Sequence, residues 1–299
     1  VHLINRYPKV SLSILILIWG LGYPVMKFGM QFSPPLIYTG LRTIISGMFL
    51  MALAFYSGEP LNLRDTWKAL LISTVFNVLL FFGASAFAVQ LLPSGIASIL
   101  LYAQPIMVGL LAHFLLHELL TLRKITGLLF GFLGVAIISY KGLTGDLSLQ
   151  GVIMGLLSAL GWTFGTLLVK RHNPRSIYWF IAIPFIGGGV LLFCMGLAVG
   201  EQPTAIVWNL PFISALLWGA IIGLGASWVI WFHLVRTVEA STLSANTFLV
   251  PVVSVIGGAL FLGEKVPPSL YLGGALVVLG IYQVNRPTSK TSTGVMGNQ

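Results

Sequence analysis

Charge is what this chain has least of. Only 8% of its 299 residues are Asp, Glu, Lys or Arg, against ~25% in ordinary soluble domains. Too few charged side chains exist to cover a soluble protein of this length. The seven acidic residues are scattered and fall mostly between apolar runs. They provide no carboxylate cluster for a metal ion and no paired acid and base for hydrolysis. The one cysteine, Cys194, lies within an apolar run. It excludes an intramolecular disulfide and every Cys-based metal or redox motif. Gly187-Gly188-Gly189 sits inside an apolar run without a following Lys-Ser/Thr, so it is not a phosphate loop. No metal, no cofactor and no enzyme activity is expected.

What is present is apolar sequence. The chain is 57% hydrophobic, with a mean hydropathy of +0.96. Ten apolar runs can be read at 11–30, 36–56, 68–90, 95–116, 124–140, 149–169, 177–199, 210–232, 241–262 and 268–284. Most approach the ~20 residues that cross a hydrocarbon core as a helix. They are continuously apolar rather than alternating, which favours helices over barrel strands. The first run is long and no small-residue cleavage site follows it, so it reads as a retained helix. Short turns join the runs, and the tail 287–299 is Ser/Thr/Gly/Lys-rich and expected to be disordered. The net charge of +9 does not point to nucleic acid. Twelve of the sixteen Lys and Arg residues fall on one side of the alternating spans and four on the other. By the positive-inside rule both termini are cytoplasmic, and the short loops suit a bacterial inner membrane.

The chain also writes one pattern twice. Pro105, Glu118, Gly127 and Gly134 recur as Pro251, Glu264, Gly273 and Gly280, each 146 positions later. Trp19 and Lys27 recur as Trp162 and Lys170, 143 positions later. Matched glycines could arise from any two Gly-rich helices; a matched Pro and Glu could not. The shift carries each helix five spans along. A repeat of five spans must insert upside down relative to its partner, as in many secondary transporters.

With these residues the chain resembles the EamA-type domain of the drug/metabolite transporter superfamily. The matching features are Trp19-Gly20 followed by Lys27, Ser33-Pro34 leading into Arg42, and His117-Glu118 and Gly263-Glu264-Lys265 after Pro-bearing helices. Each Glu precedes a last helix with a Gly-x6-Gly pattern; His117 stands where the family usually has Gly. The resemblance covers about residues 11–284. It implies an all-α integral membrane protein of ten transmembrane helices, arranged as two inverted five-helix repeats over 11–140 and 149–284. It further implies export or exchange of small metabolites, often amino acids, by alternating access. The implied partners are a small-molecule substrate, the lipid bilayer, and a proton or counter-substrate; a monomer and a homodimer are both compatible.

Candidate binding residues are the polar and aromatic side chains of the spans: Tyr23, Lys27, Arg42, Asn77, Tyr102, Gln104, Trp162, Trp228, Asn246 and Phe248. Lys27 and Arg42 either attract an anionic substrate group or snorkel to the headgroups. Asn77 and Asn246 either line the site or hold helices together. Trp67, Trp179 and Trp208, near helix ends, fit an interfacial belt. Pro24, Pro105 and Pro251 are candidate hinges, since each removes a backbone hydrogen bond. Glu118 and Glu264 fall at helix ends and read as structural, capping the following helix or pairing with neighbouring bases. With no other acid inside a run, only His113 and His233 remain as proton carriers, and coupling to protons has no support. A channel is the alternative function, and a membrane-embedded enzyme on lipidic substrates a more remote one.

Overall fold

The computed structural model describes residues 6–92, 94–139, 148–262 and 268–286. Ten helical spans occupy them: α1 (Pro8–Gly29), α2 (Pro35–Tyr56), α3 (Leu63–Leu91), α4 in two halves, α4a (Ser94–Leu101) and α4b (Gln104–Leu116), α5 (Leu122–Ile138), α6 (Leu149–His172), α7 (Ile177–Ala198), α8 (Leu210–Thr237), α9 in two halves, α9a (Ala240–Asn246) and α9b (Leu249–Leu262), and α10 (Ser269–Asn285). Eight spans are long and apolar enough to cross a membrane; α5 and α10 have 17 residues each. α3 starts five residues before its apolar run and α8 ends five after. A polar turn continues each helix there, with Asn62 donating to Asp65 (2.7 Å) ahead of α3. Glu264 and the tail 287–299 lie outside the described residues.

The breaks in α4 and α9 precede Pro105 and Pro251, at Tyr102–Ala103 and Thr247–Phe248. A proline cannot donate to the carbonyl four residues back, so the turn before it opens. Pro24 behaves differently: α1 runs through it without a break. α3 and α8 each contain a stretch of wider helix with i→i+5 hydrogen bonding, Thr74–Gly83 and Gly219–Ala226. These stretches start 145 positions apart, so the widening is itself repeated.

Helix pairing obeys the same two-fold rule. α2 lies along α7 and α5 along α10; α1 packs on α9b and α8, as α6 packs on α4 and α3. Exchanging each helix for the one five spans later leaves this pattern unchanged. The glycines fix the geometry. A Cβ on Gly127 would lie 2.7 Å from the Gly280 carbonyl oxygen, and one on Gly280 2.5 Å from that of Gly127. Gly134 and Gly273 exclude each other in the same way, at 2.5 Å in both directions. Residue 127 thus touches the counterpart of 134, and 134 the counterpart of 127. That reciprocity defines a self-complementary, two-fold contact. α2 and α7 repeat it, with Gly40 against Gly189 and Gly47 against Ala182.

The α2–α7 pair is also clasped at both ends. Gly58 and Gly200, with φ of 63° and 92°, end α2 and α7 in the left-handed conformation that glycine adopts without strain. The glutamate after each one reaches the other helix. Glu201 accepts from the Leu36 and Ile37 backbone N–H groups (3.0 and 2.9 Å), while Glu59 accepts from the hydroxyl of Ser176, which itself caps α7. Trp179 donates to the Glu59 carbonyl (2.9 Å) and is buried, so it is no belt residue, whereas Trp67 and Trp208 are exposed.

Gly280→Ala should therefore cost ~1–3 kcal/mol, as over-packing against immovable backbone does. Gly187→Ala, whose Cβ meets nothing within 4 Å, should be neutral or slightly stabilising. Melting of the two variants in detergent, followed by Trp fluorescence, checks this; equal melting curves would count against the glycine contact.

Candidate functional site

Trp19 of α1 and Trp162 of α6, the repeat-related tryptophans, meet edge to face with ring centroids 5.4 Å apart. A residue that touches its own counterpart lies on the two-fold axis, so this pair marks the centre of the bundle. Aromatic rings gather around it. Phe81 stacks on Trp162 at 5.1 Å, Trp231 lies 5.3 Å from Trp19, and Tyr102 lies 6.4 Å from Trp162. Trp228 packs against both Phe82 (5.4 Å) and Phe185 (5.5 Å).

Over this aromatic floor lies a cavity of about 100 Å³, well above the ~10–15 Å³ that a single water needs. Its walls are Ile18, Trp19, Gly22 and Met26 of α1, Arg42 of α2, Phe81, Phe82, Ser85 and Val89 of α3, Leu101 and Tyr102 of α4a and the break, Trp162 of α6, and Trp218, Gly219, Gly223, Leu224 and Trp228 of α8. The cavity occupies the half of the bundle nearer the α1–α2, α3–α4 and α7–α8 connections. The widened turns of α3 and α8 supply five of its wall residues, Phe81, Phe82, Gly219, Gly223 and Leu224. Such turns free carbonyls: Ser227 donates to Gly223 O (2.6 Å) and accepts from Trp19 Nε1 (2.9 Å). Trp162 has no such arrangement. Phe81 stacks on its ring, and among the described residues Trp162 Nε1 has no hydrogen-bond partner.

Arg42 is the only charged side chain among the described residues of the cavity wall. It is 8% exposed, with its guanidinium carbon 5.7 Å from the Tyr38 ring centre. Gly219 makes room for it, since a Cβ there would stand 3.0 Å from Arg42 Cδ. The site is thus an aromatic cage with a cation at one wall and no described carboxylate.

Of the ten residues chosen from sequence, the fold brings Arg42, Tyr102, Trp162 and Trp228 together in this cavity. Lys27 is exposed in the last turn of α1. Asn77 donates to Ser73 (3.0 Å) and presses on Gly165 of α6. Gln104 is fully buried at the start of α4b, away from the wall, with neither amide atom hydrogen-bonded among the described residues. Asn246 donates to Thr242 O (2.7 Å) and to Asn285 of α10 (3.4 Å), and Phe248 wedges onto Gly131 of α5. The side chain of Tyr23 lies outside the described residues. His233 is half-buried and off the cavity wall, and His113 Nδ1 bonds the Glu118 carbonyl (2.9 Å). Trp19, Phe81, Phe82 and Trp218 were not among the ten. The recurrence of Trp19 as Trp162 was the signal available for the first.

In the far half of the bundle, polar contacts tie the start of α9 to α4, α5 and α6. Glu118 reaches past the next helix, which Thr121 caps, to the start of α9. Its carboxylate accepts from the Ala240 and Ser241 N–H groups (2.6 and 3.0 Å) and from the Ser241 hydroxyl (2.6 Å). Lys124 pairs with Glu239 at 2.7 Å, and Lys170 donates to the Val238 carbonyl (2.6 Å). Burial works to raise the Glu239 carboxyl, but hydrogen bonds from Lys124 and Thr242 outweigh it and hold the group below the usual range.

The same organisation is met in known proteins. The EamA-like transporter family matches residues 10–140 and again residues 149–286. The chain belongs to this family. A relative in Bacillus subtilis, described as the uncharacterized transporter YvbV, is 34% identical over 96% of this chain and 94% of its own length. A probable amino-acid metabolite efflux pump of Escherichia coli is 25% identical, over 93% and 94%. A solved crystal structure has the same fold, with a TM-score of 0.81 at 19% identity, covering 92% of this chain and 95% of the other. This is therefore a multi-pass membrane transporter protein built of ten helices with an internal repeat.

Glu118→Gln should lower folded yield and melting temperature, since an amide cannot accept all three donors and an unmet buried N–H costs ~1–3 kcal/mol. The Glu239–Lys124 contact should persist from neutral pH down through the ordinary glutamate range and be lost only at more acid pH, as the depressed carboxyl takes up its proton. Light scattering and fluorescence melts between neutral and acid pH read both. A stable Glu118→Gln protein would refute the capping role.

Proposed function

We propose that this chain is a secondary transporter that moves a small amphipathic metabolite bearing a carboxylate, of amino-acid type, by alternating access. The observation that carries the reading is the placing of Arg42 beside an aromatic cage on the two-fold axis. A guanidinium in a low-dielectric wall suits a carboxylate, and the Trp162 N–H, buried without a hydrogen-bond partner among the described residues, is a second donor. Aromatic faces suit an apolar side chain and can also hold an ammonium group. The efflux-pump description of the Escherichia coli relative agrees with this substrate class.

The access mechanism follows from the uneven halves. α4b packs along α9a, whereas among the described residues α4a packs on α6, α3 and α5 with no comparable contact to α9b. An inverted repeat can exchange these roles: α4a closes on α9b while α4b leaves α9a, with the breaks before Pro105 and Pro251 as hinges. With both termini in the cytoplasm, as the basic loops imply, the structure corresponds to a state open outward. The substrate would load from the cytoplasm in the other state, giving export or exchange. No described carboxylate faces the cavity and His113 is engaged, so transport without proton coupling is expected.

Uptake of labelled amino acids into proteoliposomes, with and without a pH gradient, tests this. Saturable uptake that ignores the gradient is expected. Arg42→Gln should abolish uptake of carboxylates while sparing their neutral amides. Trp162→Phe should raise KM about three- to ten-fold, the equivalent of one hydrogen bond. Carboxylate uptake by Arg42→Gln equal to that of the unaltered protein would overturn the assignment.

A further inference from the structure

A second cleft lies on the outside of the bundle, between the first turn of α5 and the last turn of α10. We propose that this cleft binds the phosphate headgroup of an anionic phospholipid. It encloses about 640 Å³ and is lined by Arg123 from one wall and Arg286 from the other, with no carboxylate among the described residues around it. Arg286 is held over the Tyr282 ring at 5.8 Å. Thr126 donates to Gln283 Oε1 at 2.7 Å, joining the two helices across the cleft. Two arginines that line one open space from different helices match a phosphodiester, which offers two charged oxygens to forked donors.

The rim decides which phosphate. Leu122 and Tyr282 stand at the lining with 77% and 60% of their surface exposed, on helices whose outer faces are apolar. A free anion has no use for an exposed leucine beside it; the glycerol and upper acyl carbons of a lipid do. Tyrosine at this depth is the usual marker of the headgroup level. The cleft also lies on the bundle face that bears most of the Lys and Arg residues, where basic pockets between spans attract anionic headgroups. Its walls are the glycine-paired helices α5 and α10, so a lipid there would bridge the last spans of the two repeats. This assignment does not depend on the transported substrate.

The full chain is reconstituted in nanodiscs of mixed phosphatidylglycerol and phosphatidylcholine, and retained lipid is counted by native mass spectrometry. The unaltered protein should retain phosphatidylglycerol preferentially. Arg123→Gln with Arg286→Gln should weaken that preference about 30-fold, from ~1 kcal/mol for each basic residue at 1.4 kcal/mol per tenfold. Each single variant should weaken it about five-fold, which keeps the test readable if the double variant does not fold. Arg64→Gln with Lys68→Gln, an equal loss of charge on the same face, should leave it unchanged. An equal loss in that control would reduce the effect to diffuse surface charge and overturn the site. Displacement of the lipid by millimolar inorganic phosphate would overturn the lipid assignment in favour of a free-anion site.

Discussion

Backbone contact between helices at paired glycines is the constraint on which the structure depends. Gly127 against Gly280 and Gly134 against Gly273 bring α5 and α10 closer than any side chain permits. The same approach at Gly40 and Gly189 joins α2 to α7. In a membrane, apolar side chains gain little by meeting each other instead of lipid, so close packing and buried hydrogen bonds must hold helices together. Both pairs are self-complementary and therefore lie on the two-fold axis. The remaining six spans are then free to differ on the two sides of that axis. The cavity is such a difference: one side holds space and Arg42, the other holds Trp231, Phe232 and the Glu118 cap.

The scarcity of charge acquires a meaning from this arrangement. Every described glutamate does work at a helix end. Glu59 and Glu201 clasp α2 to α7, Glu118 caps α9, and Glu239 pairs with Lys124. A carboxylate at a helix N-terminus satisfies amide groups that would otherwise be buried without partners. Among the described residues, the wall of the central cavity carries a single cation beside aromatic rings. A charge in apolar surroundings is costly, and a guanidinium over the Tyr38 ring at the wall of a cavity is among the less costly ways to keep one.

The spans and the repeat were legible because they rest on long apolar runs and on rare residues at a fixed offset. Helix breaks before Pro105 and Pro251 followed from a missing N–H. The widened turns of α3 and α8 were not legible, since no residue type marks them, and they re-aim Phe81, Phe82 and Gly219 at the cavity. The recurrence of Gly58-Glu59 as Gly200-Glu201 is a further repeat signal carried by the sequence. Among polar candidates, sequence says that Asn77, Gln104 and Asn246 need surroundings other than lipid, but not which. Asn77 and Asn246 found theirs between helices, while Arg42, Tyr102, Trp162 and Trp228 share the phase that faces the axis. Glu118 shows the same limit: its position at a helix end was plain, but the helix it caps lies more than a hundred residues away.

Alternating access in this fold requires two helix pairs that stay fixed while the ends of α4 and α9 exchange contacts. In a Cys194→Ser background, spin labels at Leu115 and Thr237 would report the closed end of the bundle, and labels at Leu129 and Leu279 the α5–α10 pair. Distance distributions by double electron–electron resonance in liposomes should show two populations for the first pair and one for the second. A single narrow population at Leu115–Thr237, matching the closed arrangement, would contradict alternating access through this cavity.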